Sequence, residues 1–168
     1  VEDGEALYRL TRYRYDKVGN RIEEKRYNDY QTKDSAGGAV LTIRYEYDKD
    51  DRLVKVTDST GAVLEYGYDS QNRRVSESRK ISDTACQTFR YRYDAAGRMT
   101  ELHRTADREG SGRRSVTVRY EYDRNGNMTR TILPSGAEIL REYDPADRLI
   151  AEIHADPASG ISNTTRFA

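Results

Sequence analysis

The chain has no tryptophan, one cysteine, three prolines and two phenylalanines in 168 residues. A lone Cys86 excludes an intrachain disulfide, so nothing covalent can substitute for packing; it reads as a small, half-buried residue rather than a reactive thiol. Scarce proline excludes a proline-rich spacer. No run approaches the 18 apolar residues of a membrane-spanning helix. Net charge is also missing: 29 basic residues balance 29 acidic ones. That argues against a nucleic-acid partner, which calls for a basic excess or stripe. Aliphatic residues are thin as well, with nine Leu, nine Val and eight Ile. So low a fraction signals disorder when it accompanies high net charge, which is absent here. What the chain holds in excess is tyrosine, fourteen copies. Tyrosine suits a pleated, half-buried surface, with a large apolar ring and a polar tip. The composition therefore predicts an ordered all-β protein with an amphipathic, tyrosine-rich layer. The chain opens on Val1 without a signal-peptide pattern, which suggests a piece of a longer protein.

Internal repetition organises the sequence. The pattern Tyr-x-Tyr-Asp-x-x-Gly runs through Tyr13, Tyr15, Asp16 and Gly19, then Tyr45, Tyr47, Asp48 and Asp51. It returns at Tyr66, Tyr68, Asp69 and Asn72, at Tyr91, Tyr93, Asp94 and Gly97, and at Tyr120, Tyr122, Asp123 and Gly126. A sixth copy has Arg141, Tyr143, Asp144 and Asp147. Eleven of the fourteen tyrosines lie inside these copies. Successive Asp residues are 32, 21, 25, 29 and 21 positions apart, a unit near 21 residues with insertions.

Each copy has a direct physical reading. Tyr-x-Tyr is period-two alternation, which puts both rings on one face of a strand. Asp then opens a type I turn, which favours Asp first and Gly fourth. The fourth residue is Gly, Asp or Asn in every copy, the types that tolerate a left-handed backbone. A type I turn followed by a left-handed residue is a common three-residue hairpin loop. Pro145 sits second in the sixth turn, where its fixed φ is preferred. A polar residue follows (Asn20, Arg52, Arg73, Arg98, Asn127 or Arg148), then a second strand such as Leu53-Val54-Lys55-Val56-Thr57. In the short units a second turn closes the repeat, at Asp58-Ser59-Thr60-Gly61 and Leu133-Pro134-Ser135-Gly136. The expectation is an antiparallel array over 1–168 of about six hairpins, with inserted polar loops near 29–39, 104–114 and 155–165. Arg166-Phe167-Ala168 reads as the start of a further, truncated unit. Residues 2–12 fit either a short turn of helix or a strand.

This spacing of Tyr-x-Tyr-Asp-x-x-Gly resembles the YD or Rhs repeat over residues 8–168, nearly the whole chain. That family includes bacterial polymorphic toxins, the B–C components of Tc toxins, wall-associated bacterial proteins and animal teneurins. The resemblance implies antiparallel β-hairpins forming part of a spiralling sheet or hollow β-shell that encloses a C-terminal toxin domain of the same parent protein. It further implies a secreted or cell-surface location, type VI or toxin-complex delivery machinery as partner, and flanking repeats as neighbours; unpaired terminal strands should in addition self-associate or pair with flanking shell. Glycan binding by a surface adhesion module is the alternative.

No residue pattern carries catalysis. Six turn aspartates could be imagined as catalytic groups or Ca²⁺ ligands, but a group copied into every unit reads better as a turn former accepting backbone N–H bonds. A Ca²⁺ site needs several oxygens converging on one ion, and one Asp per hairpin does not supply them. His103 and His154 stand 51 residues apart without a metal-binding companion and read as surface or loop histidines. No Gly-x-Ser-x-Gly, Walker or dinucleotide pattern occurs. Catalytic, cofactor and metal residues are therefore expected to be none. Tyrosine rows could stack sugar rings; the structural reading is cross-strand ladders of tyrosine pairs against the next hairpin. The intervening Arg14, Glu46, Arg92 and Glu121 should then face the other side and pair with opposite charges there.

Overall fold

The computed structural model describes residues 8–30, 40–82, 85–108 and 112–167. Among these residues lie thirteen strands and no helix. The chain divides into two compact units, Val1–Cys86 and Gln87–Ala168. The first unit holds β1 (Tyr8–Tyr15), β2 (Arg21–Tyr30), β3 (Leu41–Tyr47), β4 (Leu53–Asp58), β5 (Val63–Tyr68) and β6 (Arg74–Ser82). The division falls inside β7 (Ala85–Tyr93). The second unit continues with β8 (Met99–Arg108), β9 (Gly112–Tyr122), β10 (Met128–Ile132), β11 (Glu138–Tyr143), β12 (Leu149–Asp156) and β13 (Ile161–Arg166). Within each unit the strands stand side by side in chain order. The ladders are antiparallel, as from Tyr13 opposite Glu24 and from Leu140 opposite Ile153. The fold is the all-β hairpin meander that the alternation predicts.

Register shows what the layer is made of. Across the first unit one row runs Tyr13, Glu24, Ile43, and another runs Tyr45, Val56, Leu64, each residue opposite the next. These rows mix phenol, carboxylate and aliphatic groups, and no second layer of described residues covers them. The consequence is a sheet almost without an apolar core. Ala151 is the one buried hydrophobic residue among those described, whereas Glu23, Glu24, Glu77, Thr105 and Thr131 are buried polar groups. Buried carboxylates are tolerable only when paired and hydrogen-bonded. Glu24 has both Arg21 and Arg26, and Glu77 has Arg74 and Arg79.

Two expected loops are mostly strand. Between 104 and 114, β8 runs to Arg108 and β9 starts at Gly112, with His103 to Arg108 paired in register with Thr117 to Gly112. Between 155 and 165, β12 reaches Asp156 and β13 begins at Ile161, across a turn in which the Gly160 N–H donates to the Asp156 carbonyl at 2.9 Å. Polar composition misleads here because both faces of a single-layer sheet can remain wet, so hydrophilic residues do not exclude a ladder. Near 29–39, β2 extends to Tyr30 and residues 31–39 lie outside the described residues. Of the ambiguous segment 2–12, residues 8–12 belong to β1 and the earlier ones lie outside the description.

Candidate functional site

The repeated turn is where the chemistry of this chain concentrates. In all six copies the Asp N–H donates to the carbonyl four residues on, and the N–H of the fourth turn residue donates back to the Asp carbonyl. For Asp48 these distances are 2.9 and 3.1 Å; for Asp144 both are 2.9 Å. The fourth residue has positive φ throughout: Gly19 101°, Asp51 57°, Asn72 61°, Gly97 83°, Gly126 98° and Asp147 60°. The Asp carboxylate completes the turn. Oδ1 of Asp16 accepts from the N–H groups of Val18, Gly19 and Asn20 at 3.0, 2.9 and 2.8 Å. Oδ1 of Asp69 accepts from Gln71 and Arg73, both at 2.9 Å. The second oxygen takes the side chain at the end of the turn, as in Arg52 Nε to Asp48 Oδ2 at 2.8 Å and Arg148 Nε to Asp144 Oδ2 at 2.7 Å.

These bonds favour the ionised carboxylate. At Asp48 the Arg52 side chain is the main reason the group lies below the usual carboxylate range. At Asp69, Asp94 and Asp144 it is the backbone N–H of Arg73, Arg98 or Arg148. At Asp16 and Asp123 desolvation pushes upward, yet the combined bonds, led by those from Asn20 and Asn127, outweigh it. The six carboxylates are thus held as acceptors of turn bonds.

The tyrosines link one hairpin to the hairpin before it. The hydroxyl of the second Tyr in a copy donates to a main-chain carbonyl of the preceding unit: Tyr47 to Arg21 at 3.0 Å, Tyr68 to Leu53 at 2.9 Å, Tyr122 to Met99 at 2.8 Å and Tyr143 to Met128 at 3.0 Å. Each acceptor is the fifth residue after the preceding turn Asp, whatever the insertion between the copies. Four of the first tyrosines face other residue types across the ladder. Tyr13, Tyr45, Tyr66 and Tyr120 stand opposite Glu24, Val56, Glu77 and Thr131. Guanidinium groups cover several rings instead, Arg21 at 4.6 Å from Tyr45, Arg74 at 4.4 Å from Tyr66 and Arg98 at 4.9 Å from Tyr122. Burial raises the phenol pKa of Tyr45, Tyr66 and Tyr122. Tyr91 and Tyr93 are half-buried in β7.

On the opposite face two of the intervening charges form ion pairs and two stand opposite a residue of opposite charge. Arg92 lies 3.7 Å from Glu101, Glu121 lies 3.2 Å from Arg130, and Arg14 and Glu46 stand opposite Glu23 and Lys55. His103 and His154 both lie in strands, His154 exposed at the surface and His103 half-buried. His103 sits between Thr117 and Thr105 hydroxyls at 2.9 and 3.2 Å, and His154 lies 2.8 Å from Glu152. Cys86 is half-buried, 3.8 Å from the Ser78 hydroxyl.

One feature of every copy with a described ladder escaped the sequence reading. Just past each turn the register slips: Tyr15 faces Arg21 but Arg14 faces Glu23, which leaves Ile22 as an extra residue. Val54, Val75, Thr129 and Ile150 are left over in the same way. These are β-bulges, which bend a strand and increase its twist. All of them are β-branched and sit six residues after the turn Asp, but β-branched residues suit any strand, and an extra residue is defined only by its partner.

The described residues offer little for small-molecule chemistry. No three His, Cys, Asp or Glu side chains among them lie close enough to share a metal. A shallow, largely apolar hollow of about 160 Å³ is lined by Leu133, Ile139, His154 and Ile161. What recurs is turn, bulge and tyrosine clamp. That recurrence meets a sequence match: the RHS Repeat family model fits residues 47–80 and 122–159. Those two segments carry the Rhs repeat. The two matched segments contain the two pairs of turn aspartates that lie 21 residues apart, so the Rhs pattern is recognised where insertions are smallest. No curated protein matches the chain. Among solved structures it is similar to the crystal structure of TcdB2-TccC3-Cdc42, with a TM-score of 0.74 and 18% identity over 94% of this chain and 9% of that one. It is likewise similar to a Photorhabdus luminescens Tc holotoxin pore, with a TM-score of 0.73 and 19% identity over 94% of this chain and 8% of that one. At such identity the likeness is one of fold, and the chain spans less than a tenth of either structure's length. The Rhs repeats here build a structural scaffold.

Proposed function

We propose that this scaffold is a stretch of shell wall in a secreted toxin-type protein, enclosing a toxin domain of the same parent until delivery. The observation that carries this reading is the bulge and tyrosine clamp repeated from hairpin to hairpin. A bulge at the same place in successive hairpins bends each by the same device, and the hydroxyl clamp fixes each to its predecessor. Repetition of one bend with one link is what a curved wall would require of its hairpins. The near absence of an apolar core fits a wall wetted on both sides, and the fold likeness to Tc toxin structures supports the same reading. Flanking repeats would then pair with the outer strands, since an unpaired edge templates further pairing, and the cargo would touch one face. Delivery through a type VI or toxin-injection apparatus, and a secreted or cell-surface location, belong to this proposal.

The test is limited proteolysis of the parent protein with its downstream domain attached. Enclosure predicts that the downstream domain resists protease in the parent and is cleaved when expressed alone. Equal cleavage in both would end the shell reading. A glycan-binding surface module is the second reading, and one observation favours it: Tyr13 and Tyr15 are 51% and 56% exposed, open to stack on a sugar. A glycan array with the chain, read against Tyr13→Ala, decides it; no sugar bound at micromolar protein removes this reading.

A further inference from the structure

Three of the six turns depart from glycine at the positive-φ position, and in each the departing side chain is bonded to the turn before it. Asn20 Nδ2 donates to Asp51 Oδ1 at 2.8 Å. Arg52 Nη1 donates to Asn72 Oδ1 at 2.7 Å. Asn127 Nδ2 donates to Asp147 Oδ1 at 2.7 Å, joined by Asn125 Nδ2 at 2.9 Å. The donor residue also serves its own turn: Asn20, Arg52 and Asn127 each bond the second oxygen of Asp16, Asp48 and Asp123. A long donor also reaches main chain: Arg52 Nη1 donates to the Asp69 carbonyl at 3.3 Å beside its bond to Asn72. Arg98 Nη1 donates to the Asp123 carbonyl at 2.8 Å, and Gly126 occupies the positive-φ place.

We propose that the residue closing one turn and the fourth residue of the next form a matched pair that positions neighbouring hairpins. The rule is one of reach. An asparagine amide is short, so its partner must extend an oxygen toward it, which Asp51 and Asp147 do. A guanidinium is long enough to find a backbone carbonyl by itself, which leaves the next turn free to use glycine. Sequence order follows this: Asn20 and Asn127 are followed by Asp51 and Asp147, Arg73 and Arg98 by Gly97 and Gly126, and Arg52, the exception, by an Asn72 that it bonds. Aspartate or asparagine in the left-handed region is less favourable than glycine, so its presence at these places needs a compensating contact, and the latch is that contact. Adjacent repeats are then not interchangeable: a turn is matched to its upstream neighbour. This inference concerns the scaffold alone and is independent of any cargo.

The test is a double-mutant cycle in the whole chain, read by melting temperature. Asn127→Ala removes the donor in both backgrounds, and its bond to Asp123 is lost equally in each, so the difference isolates the latch. The expected result is a drop in wild type at least twice that in Asp147→Gly. Asp147→Asn, which keeps the acceptor oxygen, should retain the larger drop. Asn127→Arg placed in the Asp147→Gly background recreates the Arg98–Gly126 arrangement and should raise the melting temperature above that of Asp147→Gly. Equal drops in both backgrounds, or no rise with the arginine, would overturn the proposal. If an Asp147 variant does not fold, the same cycle at Asn20 and Asp51 gives the answer by the same criteria.

Discussion

The turn at Asp144–Arg148 and the turn at Leu133–Ala137 have the same backbone. The first N–H donates to the fifth carbonyl at 2.9 Å in one and 2.8 Å in the other, the fourth N–H returns to the first carbonyl at 2.9 Å in both, and the fourth residue has positive φ, 60° at Asp147 and 87° at Gly136. What differs is everything around the backbone. The Asp144 turn has a carboxylate bonding two N–H groups and an arginine, and its approach strand carries the Tyr143 hydroxyl to Met128. The Leu133 turn has no carboxylate at its head. The Asp58–Ala62 turn is intermediate, with Asp58 accepting from the Thr60 and Ala62 N–H groups at 2.8 and 3.1 Å but no arginine in its fifth position. The lesson is that turn shape needs only a residue that accepts positive φ. The Asp and Tyr that define the repeat do something further: they tie side chains and successive hairpins to that shape.

Acid should separate the two turn types most strongly. The six repeat aspartates have depressed folded pKa values, so they stabilise the fold above the unfolded pKa of about 3.9. That contribution is lost as pH falls through the lower folded values. Amide protection below pH 4 should therefore fall at residues 146–148 before it does at 135–137. Simultaneous opening of both would place the stability of the repeat turn elsewhere than in its carboxylate. Next in size is Gly126→Val, expected to destabilise by about 1–2 kcal/mol because a β-branched side chain resists the left-handed region. Gly136→Val should cost about the same if backbone shape is indeed common to the two turn types. A melting temperature unchanged in either variant would remove that equivalence.

Smaller effects sharpen the role of the hydroxyl clamp. Tyr143→Phe leaves the Met128 carbonyl without its phenol donor and should cost about 1 kcal/mol by denaturant unfolding. Tyr122→Phe should match it through Met99. Tyr15→Phe is the control; its ring is exposed and its substitution should stay within about 0.5 kcal/mol. A control as damaging as Tyr143→Phe would mean that the hydroxyls act through something other than the preceding carbonyl.

Much of the hairpin was legible because its determinants are local. Gly19, Gly97 and Gly126, and equally Asp51, Asn72 and Asp147, mark the left-handed place by residue type alone, and Tyr-x-Tyr marks a strand by period. The loops expected at 104–114 and 155–165 misread because the usual cue, polar means unpaired, presumes an apolar layer that this sheet lacks. The bulges at Ile22, Val54, Val75, Thr129 and Ile150 share a β-branched residue six places after the turn Asp, yet that type is common in any strand, and the extra residue exists only relative to the facing strand. Why Asp51, Asn72 and Asp147 stand where glycine would serve is decided by their partners in the preceding turn.

The amino-acid order by itself determined where this chain reverses and which residues accept the reversed backbone, because φ preference and Asx hydrogen bonding reach no further than four residues. Tertiary structure alone decided which carbonyl receives each phenol, which asparagine or arginine meets the next turn, and how the bulged register bends the ladder. Those contacts join residues 15 to 31 positions apart, and only a paired sheet brings such distances within the length of a hydrogen bond.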